Sequence, residues 1–284
     1  MIIIVPRDKK LYPTLGPQVC AFMEENLVFG PGDLRGKPLV LDDERRALIY
    51  RMYEVYPKGH KQAGRRRFQR VGISLPKGSA KTELAALIAA CELHPEAPVR
   101  CVGWTAKGEP IGGGVKDPYI PFIAYTEEQS DELAFGALRV ILSEGPLKDD
   151  FDIGLEKIQR LKGDGVAVSL SSNPNARDGA RTTFSVLDET HRFVLPRLKA
   201  AHQTMVNNLP KRKLAQAWML EITTAPEPGA GSVAEATMEY ALSNAATKDP
   251  SLLYFHRQAG DGHDLTTRKG ALAAVKEAAG PAAS

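Results

Sequence analysis

Short apolar, β-rich runs alternate along the chain with segments of helical period. The strand-like runs lie at 67–75, 99–104, 119–125, 165–170, 184–187, 218–223 and 252–256. The helical segments lie at 82–93, 127–142, 198–208 and 232–243. Strands that alternate with helices are typical of a parallel sheet with helices on both faces. We therefore predict an α/β fold with a mainly parallel central sheet.

The two ends of the chain are less regular. Residues 1–37 mix Pro, Gly and apolar residues, and Asp42 then opens a capped helix that runs to Tyr53. The tail after residue 265 is Ala-rich and helical in propensity. We predict three parts, namely an N-terminal arm or lid segment at 1–56, an α/β core at 57–245 and a C-terminal linker or lid subdomain at 246–284.

Composition indicates an ordinary soluble globular protein. The 284 residues are 43% hydrophobic and 25% charged, which suits a sizeable core. No apolar stretch approaches the ~18 residues of a membrane span, and the first residues lack a secretory pattern. The three cysteines, Cys20, Cys91 and Cys101, form no CxxC pair, so neither a disulfide framework nor a zinc site is indicated. We expect a cytoplasmic location.

Charge is distributed unevenly, although the net charge is only +3. Residues 58–70 hold six Lys or Arg and no carboxylate, and residues 190–220 also lack Asp and Glu. Either run alone is typical of a solvated surface, whereas two runs that flank candidate ligand-binding segments, at 75–82 and 183–189, favour a polyanionic partner. The candidate DNA contacts are Arg65, Arg66, Arg67, Lys211, Arg212 and Lys213.

A phosphate-binding loop is predicted between the strand-like run at 67–75 and the helix at 82–93. Against the pattern G-x-x-x-x-G-K-[ST], residues 75–82 keep the final Lys-Thr pair but have Leu75 and Ala80 in place of the glycines. Such a loop directs backbone N–H groups and a Lys at phosphates, and its Thr holds Mg²⁺. The candidate nucleotide-binding residues are Pro76, Lys77, Gly78, Ser79, Ala80, Lys81 and Thr82. An ordinary strand-to-helix loop is the alternative.

An acidic pair follows another strand-like run. Residues 183–187 are apolar and β-rich, and Asp188 and Glu189 come directly after them. Beside a phosphate loop, the first carboxylate of such a pair binds the Mg²⁺ shell with Thr82, and the second orients and deprotonates the attacking water. The alternative is an acidic helix start. The predicted ligands are ATP and Mg²⁺, with Glu189, Lys81 and Lys77 as catalytic candidates.

The motifs together resemble the large terminase subunit of tailed bacteriophages, the ATPase that packages DNA into proheads. The loop at 76–83 is similar to the family's deviant Walker A, with Lys77 four positions before Lys81. Residues 125–130, 171–179 and 188–191 are similar to its helix-start and Walker B segments. Thr223, Thr224 and Ala225 end a strand and resemble its coupling motif. Residues 41–45 lack the family's adenine-contacting Gln.

The resemblance implies a P-loop NTPase of the additional-strand (ASCE) type that drives double-stranded viral DNA into a procapsid. It implies a portal protein and a small terminase subunit as partners, and a homo-oligomeric ring, a pentamer in the family, at the portal vertex in the host bacterial cytoplasm. It also implies an arginine supplied by a neighbouring subunit, for which Arg177 and Arg181 are candidates. The family's nuclease domain is expected to be absent from this chain.

Two other functions remain open at this stage. A helicase would share the Asp188-Glu189 pair and the additional-strand core, but it would need second-domain motifs that we do not find. A degenerate P-loop protein would bind DNA or a portal partner without hydrolysing ATP. The missing glycines at positions 75 and 80 favour this last class, and the retained Thr82, Asp188 and Glu189 argue against it.

Overall fold

The computed structural model describes residues 2–8, 10, 12–125, 133–170, 181–243 and 249–280. The strands are β1 Ile2–Val5, β2 Arg70–Ser74, β3 Arg100–Trp104, β4 Pro110–Gly113, β5 Tyr119–Ile123, β6 Phe151–Ile153, β7 Lys157–Arg160, β8 Val166–Leu170, β9 Phe184–Asp188, β10 Trp218–Thr223 and β11 Leu252–Arg257. The helices are α1 Gly16–Asn26, α2 Asp43–Met52, α3 Lys81–Leu93, α4 Ala134–Glu144, α5 Pro196–Asn208, α6 Val233–Leu242 and α7 Arg268–Ala279. None of the helices in these ranges is long and apolar enough to cross a membrane.

Nine strands form one sheet in the order β1-β11-β2-β10-β9-β5-β8-β7-β6. The six strands from β11 to β8 are mutually parallel, and antiparallel strands flank them at both ends. Parallel strands bring all their carboxyl ends to one edge of the sheet, where α/β proteins bind ligands. The loops that follow β2, β9 and β10 therefore lie side by side, with β10 in the middle.

Helices cover both faces of this sheet, as the sequence pattern predicts. Along β10, Trp218, Leu220 and Ile222 face the larger core, which α1 to α4 complete. Met219 faces the opposite way and packs with buried residues of α5 and α6. A strand buried on both faces reads as a continuous apolar run, which is why β10 stands out in the sequence.

The N-terminal segment contributes directly to the larger core. Val19 and Met23 of α1 and Ile49 and Met52 of α2 are fully buried there. Asp42 caps α2 by accepting a hydrogen bond from the Arg45 backbone N–H at 2.8 Å, as its position in the sequence predicts.

The strand predicted at 99–104 forms, but its expected place in the central sheet is wrong. It becomes β3, which pairs antiparallel with β4 in a separate two-stranded sheet. Strands β1, β4, β6 and β7 and helix α1 were not predicted. These strands have three or four residues each, and β1 pairs with β11 from the far end of the sequence, so their local apolar patterns carry little signal.

Candidate functional site

The loop between β2 and α3 is a compact turn closed by its own backbone. The backbone N–H and the hydroxyl of Ser79 both donate to the carbonyl of Pro76, at 3.3 and 2.8 Å. Gly78 has a φ of 86°, which a glycine adopts without steric cost. Lys77 at the tip of the turn is exposed. The turn delivers the chain directly into the first residue of α3.

Ala80 is in the left-handed conformation, with φ 48° and ψ 30°. This residue stands where the phosphate-loop pattern has its second glycine, and a left-handed conformation costs a non-glycine residue roughly 1–2 kcal/mol. The loop therefore keeps a backbone conformation that suits glycine although the glycine itself is replaced. The Ala80 side chain supplies no cap to α3, so the first N–H groups of the helix remain available to an anion.

Lys81, the first residue of α3, is only 9% exposed. Its Nζ donates to the Pro76 carbonyl at 3.3 Å, which folds the side chain back over the turn. Burial lowers the pKa of Lys81, whereas the nearby carboxylates of Asp188 and Glu189 raise it. The fold thus brings the predicted phosphate-binding lysine and the predicted acidic pair into one electrostatic site.

Asp188 ends β9 and is 2% exposed. Its Oδ2 accepts a hydrogen bond from the Ala134 backbone N–H at 3.2 Å, and its buried Oδ1 has no hydrogen-bond partner in the described ranges. Burial, followed by the charge of Glu189, raises the pKa of Asp188 to about 7. A neighbouring cation stabilises the ionised form of such a buried carboxyl group.

The donor set fits Mg²⁺ held together with a phosphate. Thr82 lies half-buried in the first turn of α3, and the free Oδ1 of Asp188 supplies a second oxygen. Within the described ranges, no group of three or more His, Cys, Asp or Glu residues could hold a metal by itself. Mg²⁺ commonly takes one or two protein oxygens and completes its shell with water and substrate phosphates.

Glu189 follows in a left-handed conformation with a φ of 57°. Its Oε2 forms an ion pair with the Nε of Arg192 at 2.9 Å, and both side chains are partly exposed. Strained non-glycine conformations cluster at functional sites, where the surrounding structure maintains them. The turn after β9 therefore separates two adjacent acids into a buried Asp188 and a solvent-accessible Glu189.

The end of β10 connects the two loops beside it. The Thr223 hydroxyl accepts a hydrogen bond from the His191 backbone N–H at 3.0 Å and lies 3.1 Å from His191 Nδ1. The Thr223 carbonyl accepts from the Leu75 backbone N–H at 3.1 Å. Thr224 is half-buried and Ala225 is exposed just beyond. One residue thus contacts both the entrance to the loop at 76–82 and the turn after the acidic pair.

A cavity of about 310 Å³ opens beside the loop. Lys77, Gly78, Ser79 and Lys81 form one side of it. Leu75 before the loop and Leu84 of α3 line it as well, and the remaining walls come from the start of α2, from β11 and from α7, through Asp42, Glu44, Arg45, Leu48, Arg257 and Ala279. The sequence stretch at 41–45, which lacks a Gln, therefore lies at the cavity, where it offers the carboxylates of Asp42 and Glu44 and the guanidinium of Arg45 instead.

Two residues of this site carry no clear signal in the sequence. Arg192 is one of several basic residues after β9, and only the tight turn brings it to Glu189. Arg257 ends β11, where its guanidinium pairs with Glu44 and donates to the carbonyls of Ala278 and Ala279 at 2.7 and 2.6 Å. These contacts join the start of α2 to the end of α7, and no local pattern predicts them.

The next two residues are Arg181 and Arg177, the candidates for an arginine supplied by a neighbouring subunit. Arg181 precedes β9 at the amino edge of the sheet, so a strand of about 13 Å separates it from Asp188 of the same chain. Arg181 therefore lies at the opposite edge of the sheet from the loop at 76–82 of the same chain. Arg177 lies outside the described residues, as do the motif segments at 126–132 and 171–180.

The prediction of Arg66 and Arg67 as DNA contacts is wrong, because both side chains are buried. The Arg66 guanidinium stacks 3.9 Å from the ring centroid of Trp218 and donates to the Met52 carbonyl at 2.7 Å. Arg67 pairs with Glu54 at 2.6 Å and with Asp8. Both arginines hold the core together, whereas Arg65, Lys211 and Lys213 are exposed.

Arg212 is half-buried and directed at the backbone. It donates to the carbonyls of Asp117 and Arg181 at 2.8 and 3.2 Å, and to that of Lys116 at 3.3 Å. The guanidinium therefore anchors the loop before β10 to neighbouring loops. This use of its donors makes Arg212 a poor candidate for contact with DNA.

Comparison with known proteins identifies the fold. No family model and no curated protein matches this sequence. Among solved structures, the large terminase of bacteriophage HK97 matches with a TM-score of 0.64 and 18% sequence identity, over 92% of this chain and 47% of that chain. The chain thus has the α/β fold of the HK97 large terminase and spans about half its length. The resemblance drawn from the motifs is confirmed at the level of the fold.

Two further matches are weaker. The large terminase ATPase domain of Thermus phage P74-26 gives a TM-score of 0.37 at 18% identity, over 61% of this chain and 66% of that one. The large terminase of a thermophilic bacteriophage gives 0.42 at 9% identity, over 67% of this chain and 40% of that one. These TM-scores are too low to support conclusions about this chain.

Proposed function

We propose that this chain is the ATP-hydrolysing domain of a DNA-packaging motor of the large terminase type. The observation that carries the proposal is the meeting of three features at one sheet edge: the loop before Lys81, the acids Asp188 and Glu189, and Thr223 between them. The position of β10 between β2 and β9 supports a P-loop NTPase with an additional strand. The fold shared with the HK97 large terminase supports the motor assignment.

In this proposal the loop binds the phosphates of ATP. The backbone N–H groups at the start of α3 and the charges of Lys77 and Lys81 face the β- and γ-phosphates. Lys81 exchanges its hydrogen bond to the Pro76 carbonyl for one to phosphate. Thr82 and Asp188 hold the Mg²⁺, which neutralises phosphate charge when it is bound.

Glu189 is the proposed general base. It orients the attacking water and removes its proton, which requires a carboxylate that reaches beyond the buried Asp188. Its ion pair with Arg192 holds the side chain in the present structure, so productive alignment requires that pair to open or turn. An arginine of a neighbouring subunit, with Arg181 as the described candidate, stabilises the transferred charge.

Loss of the γ-phosphate is relayed through the end of β10. Thr223 contacts both flanking loops, and Thr224 and Ala225 continue from it into the segment that leads to α6. The proposed output of ATP hydrolysis is translocation of double-stranded viral DNA into a procapsid. The proposed assembly is a homo-oligomeric ring, a pentamer by resemblance, that contacts a portal protein and a small terminase subunit at the portal vertex, in the host bacterial cytoplasm.

The assignment is tested by single-turnover hydrolysis of radiolabelled ATP with Mg²⁺, with excess protein and duplex DNA. Glu189→Gln should bind ATP with little change in affinity and lose hydrolysis by about 10²-fold or more. Arg197→Gln, at an exposed position of α5, is the control and should hydrolyse normally. Unchanged hydrolysis in Glu189→Gln would exclude Glu189 as the base.

The same preparation separates the two alternatives. ATP binding without hydrolysis by the parent protein, under all these conditions, would favour a degenerate P-loop protein, for which Ala80 in place of glycine is the relevant observation. Strand separation coupled to hydrolysis would favour a helicase. Hydrolysis stimulated by duplex DNA without strand separation is the outcome expected for a packaging motor.

A further inference from the structure

A second cavity, of about 470 Å³, lies at the opposite edge of the sheet, beside the amino ends of β2 and β10. The two carboxylate-free runs of the sequence meet there. Gln62 and Arg65 come from the first run, and Lys213 and Gln216 come from the second. None of the described residues that line this cavity carries a carboxylate. Residues about 150 positions apart therefore build one basic cavity, which we call the amino-edge cavity.

The walls of the amino-edge cavity are firmly held. Gln216, in a left-handed conformation with φ 51°, accepts a hydrogen bond from the Arg66 backbone N–H at 2.5 Å and so joins the two runs. The Arg66 guanidinium stacks on Trp218 at the start of β10. Arg212 fastens the loop that carries Lys213 to the carbonyl of Asp117 at 2.8 Å. Arg66 and Arg212 thus hold in place the segments that carry the exposed cations Arg65 and Lys213.

The accessible groups in this cavity are those that bind phosphate oxygens. The side-chain charges of Arg65 and Lys213 are exposed, and neither forms a side-chain hydrogen bond or ion pair within the described ranges. The amides of Gln62 and Gln69 and the ring of Tyr56 line the space between them. Protein contacts to a nucleic-acid backbone come mainly from Arg, Lys, Gln, Asn, Tyr and hydroxyl side chains.

We propose that the amino-edge cavity binds the phosphate backbone of DNA, with Arg65 and Lys213 as the two charged contacts. A duplex presents one negative charge per ≈1.7 Å of its axis, so one strand can place a phosphate in the cavity while its neighbours face the exposed lysines of the same runs. Contacts of this kind carry no base sequence information. The cavity therefore binds DNA independently of its base sequence.

The same two strands connect the amino-edge cavity to the nucleotide loop. Gln69 and Gln216 lie just before β2 and β10, and Leu75 and Thr223 lie at the other ends. These strands span roughly 13 to 17 Å, which places the two sites on opposite edges of one rigid layer. The choice of DNA as the polyanion rests on the proposed function, whereas the cavity and its charges do not.

The experiment measures binding of a fluorescent DNA duplex by the whole chain across a series of salt concentrations. The test variant is Arg65→Glu/Lys213→Glu, and the matched control is Lys148→Glu/Lys157→Glu, which makes the same change in net charge at exposed positions beside β6 and β7, at the other end of the strand order from β2. The test variant should bind about tenfold more weakly at moderate salt, and the slope of log affinity against log salt should fall by about 2. The control should keep the parent slope.

Several outcomes would overturn the proposal. Equal weakening in the control pair would indicate general charge attraction, and an unchanged affinity in the test variant would exclude the cavity. Displacement of DNA by millimolar inorganic phosphate, but not by sulfate at equal ionic strength, would identify free phosphate as the ligand. Wild-type protein that ignores DNA but binds an acidic peptide through Arg65 and Lys213 would identify a protein partner.

Nucleotide binding separates this proposal from the function proposed above. The test variant should bind a fluorescent ATP analogue as the parent does, because the loop at Lys81 lies at the other edge of the sheet. Loss of DNA affinity with intact ATP binding supports the amino-edge cavity. Failure of the parent to bind ATP would contradict the ATPase assignment. The proposal for the amino-edge cavity would then depend only on the comparison of DNA binding between the test variant and its charge-matched control.

Discussion

The hydroxyl of Thr223 accepts a hydrogen bond from the backbone N–H of His191 at 3.0 Å, across the gap between two neighbouring strand ends. Because the Thr223 carbonyl also accepts from the Leu75 backbone N–H, the loop at 76–82 and the turn after Asp188 are both bonded to one residue of β10. Thr223 therefore joins the two loops by hydrogen bonds, beside the electrostatic contact between Lys81 and the acidic pair.

Thr223→Val tests this connection while conserving the shape of the side chain. The partly buried His191 N–H then loses its partner, which costs up to about 1–3 kcal/mol, the range for a fully buried donor. We expect faster amide hydrogen exchange at residues 190–192, intact ATP binding and reduced hydrolysis. Thr223→Ser keeps the hydroxyl and should restore hydrolysis. Equal ATP hydrolysis by the Val and Ser variants would show that the Thr223 hydroxyl has no role in the reaction.

The backbone of Ala80 gives a second prediction. Its left-handed conformation is costly for alanine and more so for a β-branched residue, because Cβ substituents crowd the backbone at positive φ. Ala80→Gly should leave the free energy of unfolding unchanged or raise it by up to about 1 kcal/mol, whereas Ala80→Val should lower it by about 1–2 kcal/mol. Urea denaturation of the three proteins measures both differences. A valine variant as stable as the parent would mean that the loop relaxes freely.

The raised pKa of Asp188 makes the free energy of unfolding depend on pH. Its folded pKa of about 7 lies above the ordinary value of 3.8, so the folded state binds the proton more tightly than the unfolded state. Stability should therefore fall as the pH rises from about 4 to about 7, by on the order of 3–4 kcal/mol from this group. Asp188→Asn should flatten that dependence and be more stable than the parent at pH 7 without nucleotide. Urea unfolding at pH 5 and pH 7 compares the two, and parallel pH profiles would contradict the raised pKa.

A buried ion pair supports the core beneath the amino edge. Glu92 is fully buried, pairs with Arg100 at 2.8 Å and accepts hydrogen bonds from Tyr53 and Trp218, both at 3.0 Å. Glu92→Ala leaves the Arg100 charge buried and unpaired, which should cost about 3–5 kcal/mol in the free energy of unfolding. The exposed Glu109→Ala is the control and should change little. A small loss at Glu92 would show that water reaches Arg100.

The sequence predicts the elements whose pattern is local. Runs such as 218–223 are buried on both faces and read as strands, and the caps at Asp42 and Ser232 mark helix starts that the structure has. The order of the strands, the separate β3–β4 pair and the pairing of β1 with β11 depend on contacts between distant residues, which leave no periodic signal.

The candidate site was predictable where a motif combines residue type with position. Lys81, Asp188 and Thr223 each stand at the end of a strand or the start of a helix, and the parallel sheet brings them to one edge. Charge runs were less informative. Arg65 and Arg66 are adjacent and chemically identical, yet one is exposed and the other stacks on Trp218, a difference that only tertiary packing decides.

The central claim is that the loop before α3 binds MgATP, and a direct titration tests it. A fluorescent ATP analogue with Mg²⁺ should bind the parent protein and the Lys107→Ala control equally. Lys81→Ala should bind at least about tenfold more weakly, because a charge-assisted contact to phosphate is lost. Equal affinity of Lys81→Ala and the parent, or no saturable binding by the parent, would contradict binding of MgATP by this loop.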